Sequence, residues 1–158
     1  MTSASDCDRI CLDGIQGPAY GCDPVHNSTP WGVLMTYEGG CLCGKIRLAA
    51  HGEPLRVGIC HCLDCRKHHG TLFHASAIFA GTAVVITGAT KDYQGRHFCP
   101  DCGSSVFGRS GEEIEVNLGS LDSPDLFKPQ YELWTIRREN WLPPFGLLLY
   151  LQDNEPSV

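Results

Sequence analysis

Cys60-His61-Cys62-Leu63-Asp64-Cys65 sets three thiols within six residues. Side chains alternate along an extended chain, so Cys60 and Cys62 project to one face and His61 to the other. The two-residue gap before Cys65 lets a tight turn return a third sulfur. Such a segment grips one metal ion from three sides. A tetrahedral ion such as zinc then lacks one ligand, and three protein ligands with one open position is how zinc is presented for chemistry.

Working outward, two further cysteine clusters flank this one: Cys41 and Cys43 as C-x-C, and Cys99 and Cys102 as C-x-x-C. Gly39, Gly40 and Gly44 surround the first, while Pro100 and Gly103 give the last the turn in which backbone N–H groups face the sulfurs. Seven thiols do not divide into two four-sulfur sites. A partition of four plus three follows, with Cys41, Cys43, Cys99 and Cys102 closing a structural zinc and Cys60, Cys62 and Cys65 left for a second ion. The fourth corner of that second ion has two readings at this point. It is open to a water or a substrate thiol, or it is closed by a histidine, for which His51, His61, His68, His69, His74 and His97 are the candidates.

Composition bounds the rest. At 158 residues the chain is long enough to bury about two-thirds of its unfolded surface in one domain, so metal is not needed merely to staple it. Ten cysteines without a basic and apolar leader point to metal ligation in a reducing cytoplasm rather than to disulfides. No window approaches the roughly 18 apolar residues of a membrane span. A net charge of −6 with few clustered aromatics weighs against a nucleic-acid surface.

Residues 1–34 are punctuated by Asp, Gly, Pro, Ser and Asn and keep no apolar period, which predicts a poorly ordered extension in which Cys7, Cys11 and Cys22 are incidental thiols. Residues 35–150 read as the zinc-binding domain and 151–158 as a polar tail. Within the domain short strands are expected at 45–48, 73–79, 83–86, 114–118 and 131–136, separated by glycine and proline. The fold class is therefore mainly β, with antiparallel sheets organised around cysteine-ligated zinc and little helix: a turn or two after Cys65 and another near 122–127. The apolar run at 141–150 reads as a tail packed on the sheet.

Gly40-Cys41-Leu42-Cys43-Gly44, then 60–67, then Arg96-His97-Phe98-Cys99-Pro100-Asp101-Cys102-Gly103, resemble the glutathione-dependent formaldehyde-activating enzymes and centromere protein V. Leu118-Gly119-Ser120-Leu121-Asp122 and Glu132-Leu133-Trp134 are similar too, so that the resemblance runs over about residues 37–144. It implies a β-rich fold with two zinc ions per chain: Cys41, Cys43, Cys99 and Cys102 at a structural one, and Cys60, Cys62 and Cys65 at a catalytic one whose fourth ligand exchanges. The implied activity is that of a carbon–sulfur lyase that forms or cleaves S-(hydroxymethyl)glutathione, with a small-molecule thiol (glutathione as co-substrate) and an aldehyde as partners. Glutathione is anionic and the chain is acidic, so a local basic patch is needed. Arg66 is the expected substrate contact, with Lys67, His68 and His69 beside it and Arg96 and Lys45 as further candidates. Two rival readings go with other uses of the same residues. One is a non-catalytic zinc module that binds a protein partner through 147–150; the other is a thiol redox protein using Cys62 and Cys65 as a reversible pair.

Overall fold

The computed structural model describes residues 35–153. The expected N-terminal extension, with Cys7, Cys11 and Cys22, and residues 154–158 of the expected tail lie outside the described residues. The described chain is mainly β, as the alternation predicts.

A small antiparallel sheet is built from β1 (Thr36–Gly40), β2 (Arg47–His51) and β5 (Val84–Thr87), with β2 in the middle. The larger sheet takes the remaining strands, β3 (Arg56–Cys60), β4 (His74–Ala80), β6 (Lys91–Tyr93), β7 (Arg96–Phe98), β8 (Ser105–Ser110), β9 (Glu113–Asn117), β10 (Tyr131–Leu133) and β11 (Leu148–Leu149). Their order is β11-β10-β3-β4-β9-β8-β7-β6. This sheet is mixed rather than purely antiparallel, because β10 runs parallel to both β3 and β11. The core lies between the sheets. Leu48, Ala50 and Tyr37 of the small sheet pack with Ala77, Phe79, Ile114, Val116 and Val106 of the large one.

Period-2 alternation sends the same strands' other residues to the opposite face. Along β9, Ile114 and Val116 enter the core, so Glu113, Glu115 and Asn117 face away from it. The registers Arg56↔Ile78, Cys60↔His74, Ser76↔Asn117 and Ile78↔Glu115 put all these side chains on one shared surface. One face of the large sheet is core and the other carries chemistry.

The helix expected after Cys65 is α1 (Leu63–His69), capped by Cys62 and ended by Gly70 in the left-handed region. The turn of helix expected near 122–127 is not formed. Asp125 sits at a φ of 58° and Leu121 bridges to Gly39 instead, while the Asp122 carboxylate is held by the fork of Arg47. The apolar run at 141–150 joins the sheet by backbone pairing of β11, yet Leu148 and Leu149 stay exposed. Among the described residues no helix is long and apolar enough to cross a membrane.

Gly40 ends β1 where the chain must turn tightly into the first cysteine pair. A Cβ there would collide with the backbone oxygen of Ile46, which accepts the N–H of Cys41 at 3.0 Å. Gly40→Ala is expected to cost about 2–3 kcal/mol, because the obstacle is main chain and cannot rotate aside; equilibrium unfolding in urea measures it.

Candidate functional site

The seven sequence-predicted cysteines gather in two groups, in each of which the sulfurs lie within 4.8 Å of one another: Cys41, Cys43, Cys99 and Cys102, and separately Cys60, Cys62 and Cys65. In the first, the turn after β1 meets the turn between β7 and β8. The Cys41 and Cys43 sulfurs are 3.5 Å apart and those of Cys43 and Cys99 3.7 Å. A tetrahedron with metal–sulfur bonds of about 2.3 Å has sulfur–sulfur edges of about 3.8 Å, so the spacing suits a zinc-sized ion. Gly44 and Gly103 follow the two pairs at φ of 77° and 74°, conformations that turn the chain back on itself. The Ile46 N–H donates to Cys41 Sγ at 3.2 Å. Hydrogen bonds from Ser104 hold the Cys102 thiol down at about 5. For Cys43 the Lys45 N–H favours the thiolate, but the neighbouring thiols, Cys41 first, push it up to about 12. Four sulfurs this close cannot all ionise without a cation among them, which is the chemistry of a metal-ligand set.

The second group is assembled locally. Cys60 closes β3, and Cys62 caps α1, its sulfur accepting the Cys65 N–H at 3.3 Å. The Cys62 N–H reaches Cys60 Sγ at 3.5 Å. Hydrogen bonding by Cys65 draws the Cys60 thiol down to about 7 and drives Cys65 upward. Among the described residues no histidine, aspartate or glutamate completes this set to four. His61 in particular turns to the other side of the segment, where it is wholly buried. The donors fit three corners of a zinc site.

All three cysteines line a cleft of about 410 Å³. Its walls are the chemistry face of the large sheet together with α1: Arg56, His74, Glu113 and Glu115 from β3, β4 and β9, His68 and His69 from the helix, and Arg96 from β7. Trp134, at a φ of 56°, lines it too. A non-glycine residue in that region is strained, and such residues gather at functional sites. His69 and His74 stack with ring centroids 3.8 Å apart, and burial drives His69 down to about 3. Burial opposes the charge of Glu115, yet the His74 ring nitrogen 3.4 Å away and the Ser76 hydroxyl, which donates at 2.6 Å, prevail and hold it at about 2.

Arg66, the expected substrate contact, is otherwise engaged: it donates to the Arg137 carbonyl at 2.8 Å and pairs with Glu139, and it is not among the residues bordering the cleft. Lys45 pairs with Asp101 beside the first cluster. Arg96 stands in the cleft with only loose contacts, 3.5 Å to the Gln94 carbonyl and 3.8 Å to Asp64. Sequence reasoning expected a strand at 114–118 but assigned no role to Glu113, Glu115 or Asn117, nor to Arg56 or Glu132. The alternation of β9 was the signal for the first three.

A family model described as glutathione-dependent formaldehyde-activating enzyme matches residues 36–137. An uncharacterized lyase of Schizosaccharomyces pombe is 33% identical over 76 residues, a match that covers 45% of this chain and 56% of the relative. The chain thus spans just over half the length of that curated relative.

The two cysteine groups are expected to respond differently to loss of one sulfur. Cys99→Ser, at a wholly buried position joining two sheets, should destabilise the fold by at least about 3 kcal/mol, whereas Cys62→Ser should keep the fold and remove one equivalent of bound metal. Unfolding curves and elemental analysis of the purified variants give both numbers.

Proposed function

This chain belongs to the glutathione-dependent formaldehyde-activating enzyme family, and from that premise we propose that it is a zinc-dependent, cytoplasmic carbon–sulfur lyase with the catalytic ion at Cys60, Cys62 and Cys65. The single observation that carries the reading is the coincidence of a three-thiol set, without a fourth described donor, with the floor of a polar cleft. The four-thiol set of Cys41, Cys43, Cys99 and Cys102 takes the structural role. The reaction is addition of glutathione, or a related thiol, to formaldehyde: a sulfur–carbon bond forms, the carbonyl π bond breaks, and the thiol proton ends on the oxygen. In reverse the adduct is cleaved.

Cys60, Cys62 and Cys65 would hold a zinc ion whose positive charge would favour the thiolate, the nucleophilic form, of a thiol beside it. The chain's own groups bind and orient. Arg96 offers a guanidinium fork to a carboxylate of the thiol carrier. Arg56 is already satisfied by a two-pronged pair with Glu113 at 2.9 and 2.8 Å, which leaves it as a rigid wall. His69 is kept neutral by burial, so its ring has one donor and one acceptor for the aldehyde oxygen and its proton. The stacked His74, fixed by Glu115, holds that ring in place.

The test is the rate at which formaldehyde, glutathione and their adduct exchange, followed by NMR. Acceleration by the intact protein, lost in Cys62→Ser and on zinc removal, is expected. No acceleration in a chain carrying two zincs would reject this activity and favour a binding role, and acceleration that survives zinc removal would favour thiol redox chemistry. Arg96→Ala should raise KM for glutathione on the order of 10-fold while kcat changes little, the loss of one charge-assisted contact made alike in ground and transition states.

A further inference from the structure

Behind the three-cysteine segment, on the side away from the sulfurs, three ionisable side chains are packed together. His61 is wholly buried, and its Nε2–H donates to Glu132 Oε2 at 2.9 Å. Glu132 is wholly buried as well, and Arg138 Nε stands 3.5 Å from the same oxygen. The guanidinium of Arg138 lies over the Phe145 ring and donates to the carbonyls of Leu142 and Pro143. Phe145 meets Phe73 edge-on, with centroids 5.2 Å apart, and Phe73 meets the His61 ring at 5.9 Å. The contacts form a closed circuit that joins the metal-ligand segment, β10 and the strap that follows it.

Stability alone does not account for this circuit. Burying an imidazole, a carboxyl group and a guanidinium costs free energy, and apolar residues of similar size would serve the core as well or better. What the polar pair adds is direction. In an extended segment the side chain of His61 and the sulfurs of Cys60 and Cys62 occupy opposite faces, so fixing one fixes the others. The backbone contributes through the His61 N–H, which donates to the Leu133 carbonyl at 3.0 Å, but that bond does not by itself choose the imidazole's partner.

We propose that Glu132 is a positioning residue: by accepting the His61 hydrogen bond it holds the Cys60 and Cys62 sulfurs toward the cleft, with Arg138 and the strap at 142–150 holding Glu132. The inference rests on the reading that Cys60, Cys62 and Cys65 bind a metal ion. It extends the site past the family-matched stretch, which ends at residue 137, to Arg138 and Phe145.

The experiment uses the full chain loaded with cobalt, whose visible absorption reports coordination geometry. Wild type, Glu132→Gln and Glu132→Leu are compared for cobalt stoichiometry, spectrum and affinity at the weaker site by chelator competition. Glu132→Leu should weaken the second cobalt 10- to 100-fold, the usual effect of removing an outer hydrogen-bond partner, and alter its absorption while the first ion is unchanged. Glu132→Gln keeps an acceptor oxygen and should restore both. If Glu132→Leu does not fold, His61→Phe, which retains a ring beside Phe73 but cannot donate, carries the same expectation. A Glu132→Leu protein with two cobalts bound as in wild type overturns the inference alone, as does an equal loss in Glu132→Gln. One cobalt per wild-type chain overturns the underlying reading together with it.

Discussion

The structure depends on sulfurs brought closer than thiolates tolerate without a cation between them. Cys41 and Cys43 belong to the turn that leaves the small sheet, and Cys99 and Cys102 to a turn of the large one, with Cys99 56 positions after Cys43. Closing a loop of that length costs roughly 3–4 kcal/mol of chain entropy. Binding of a structural zinc ion by thiolates is worth on the order of 10 kcal/mol, so a zinc ion held by these four sulfurs would outweigh the closure it demands. With such an ion bound, the apolar core between the sheets would have fixed partners rather than two sheets free to slide. The buried Cys99 and its knuckle are part of that core as much as of the metal site.

The second consequence is geometric. The cleft needs groups from β3 and from β7, which lie four strands apart in the large sheet. In a flat sheet that separation would be about 19 Å at about 4.8 Å per strand. Yet Arg96 of β7 reaches Asp64 of α1, and His68 of α1 bonds to Ser105 of β8 at 2.9 Å. The sheet therefore curls over the short helix that grows directly out of β3. Curling turns a row of side chains on one face into the walls of a cavity, with the three sulfurs where strand, cap and helix meet.

Much of this was legible in the residues. The cysteine spacings pointed to both clusters, and alternation or β-branched runs pointed to β2, β4, β5, β9 and β10, five of the eleven described strands, because each rests on local geometry that tertiary contacts had no reason to override. The turn of helix expected near 122–127 was overridden: Asp122 is more strongly engaged by Arg47 across the strand boundary than by a helical turn, and Asp125 breaks the helical path. Arg66 stands away from the cleft for a related reason. Adjacency in sequence put it next to a ligand, but a helix turns successive residues by about 100°, and Glu139, far along the chain, claims its guanidinium. Parallel pairing of β10 with β3 joins residues 73 apart, and the burial of Glu132 against His61 joins residues 71 apart, separations for which a single sequence carries no register.

Charge orders what enters the cleft. The chain is net negative, but over more than about 8–10 Å salt screens that field, so nearby groups decide. On the β9 side Glu115 is ionised and occupied by His74, and Glu113 is neutralised by Arg56. A carboxylate arriving there meets a committed anion, while at the β7 side it meets Arg96, whose own contacts are long. On the proposed function, the gradient along the cleft would favour one orientation of an anionic thiol, with its carboxylate toward β7. A thiol carrying no carboxylate gains nothing from that gradient and has no reason to enter in one direction over the other.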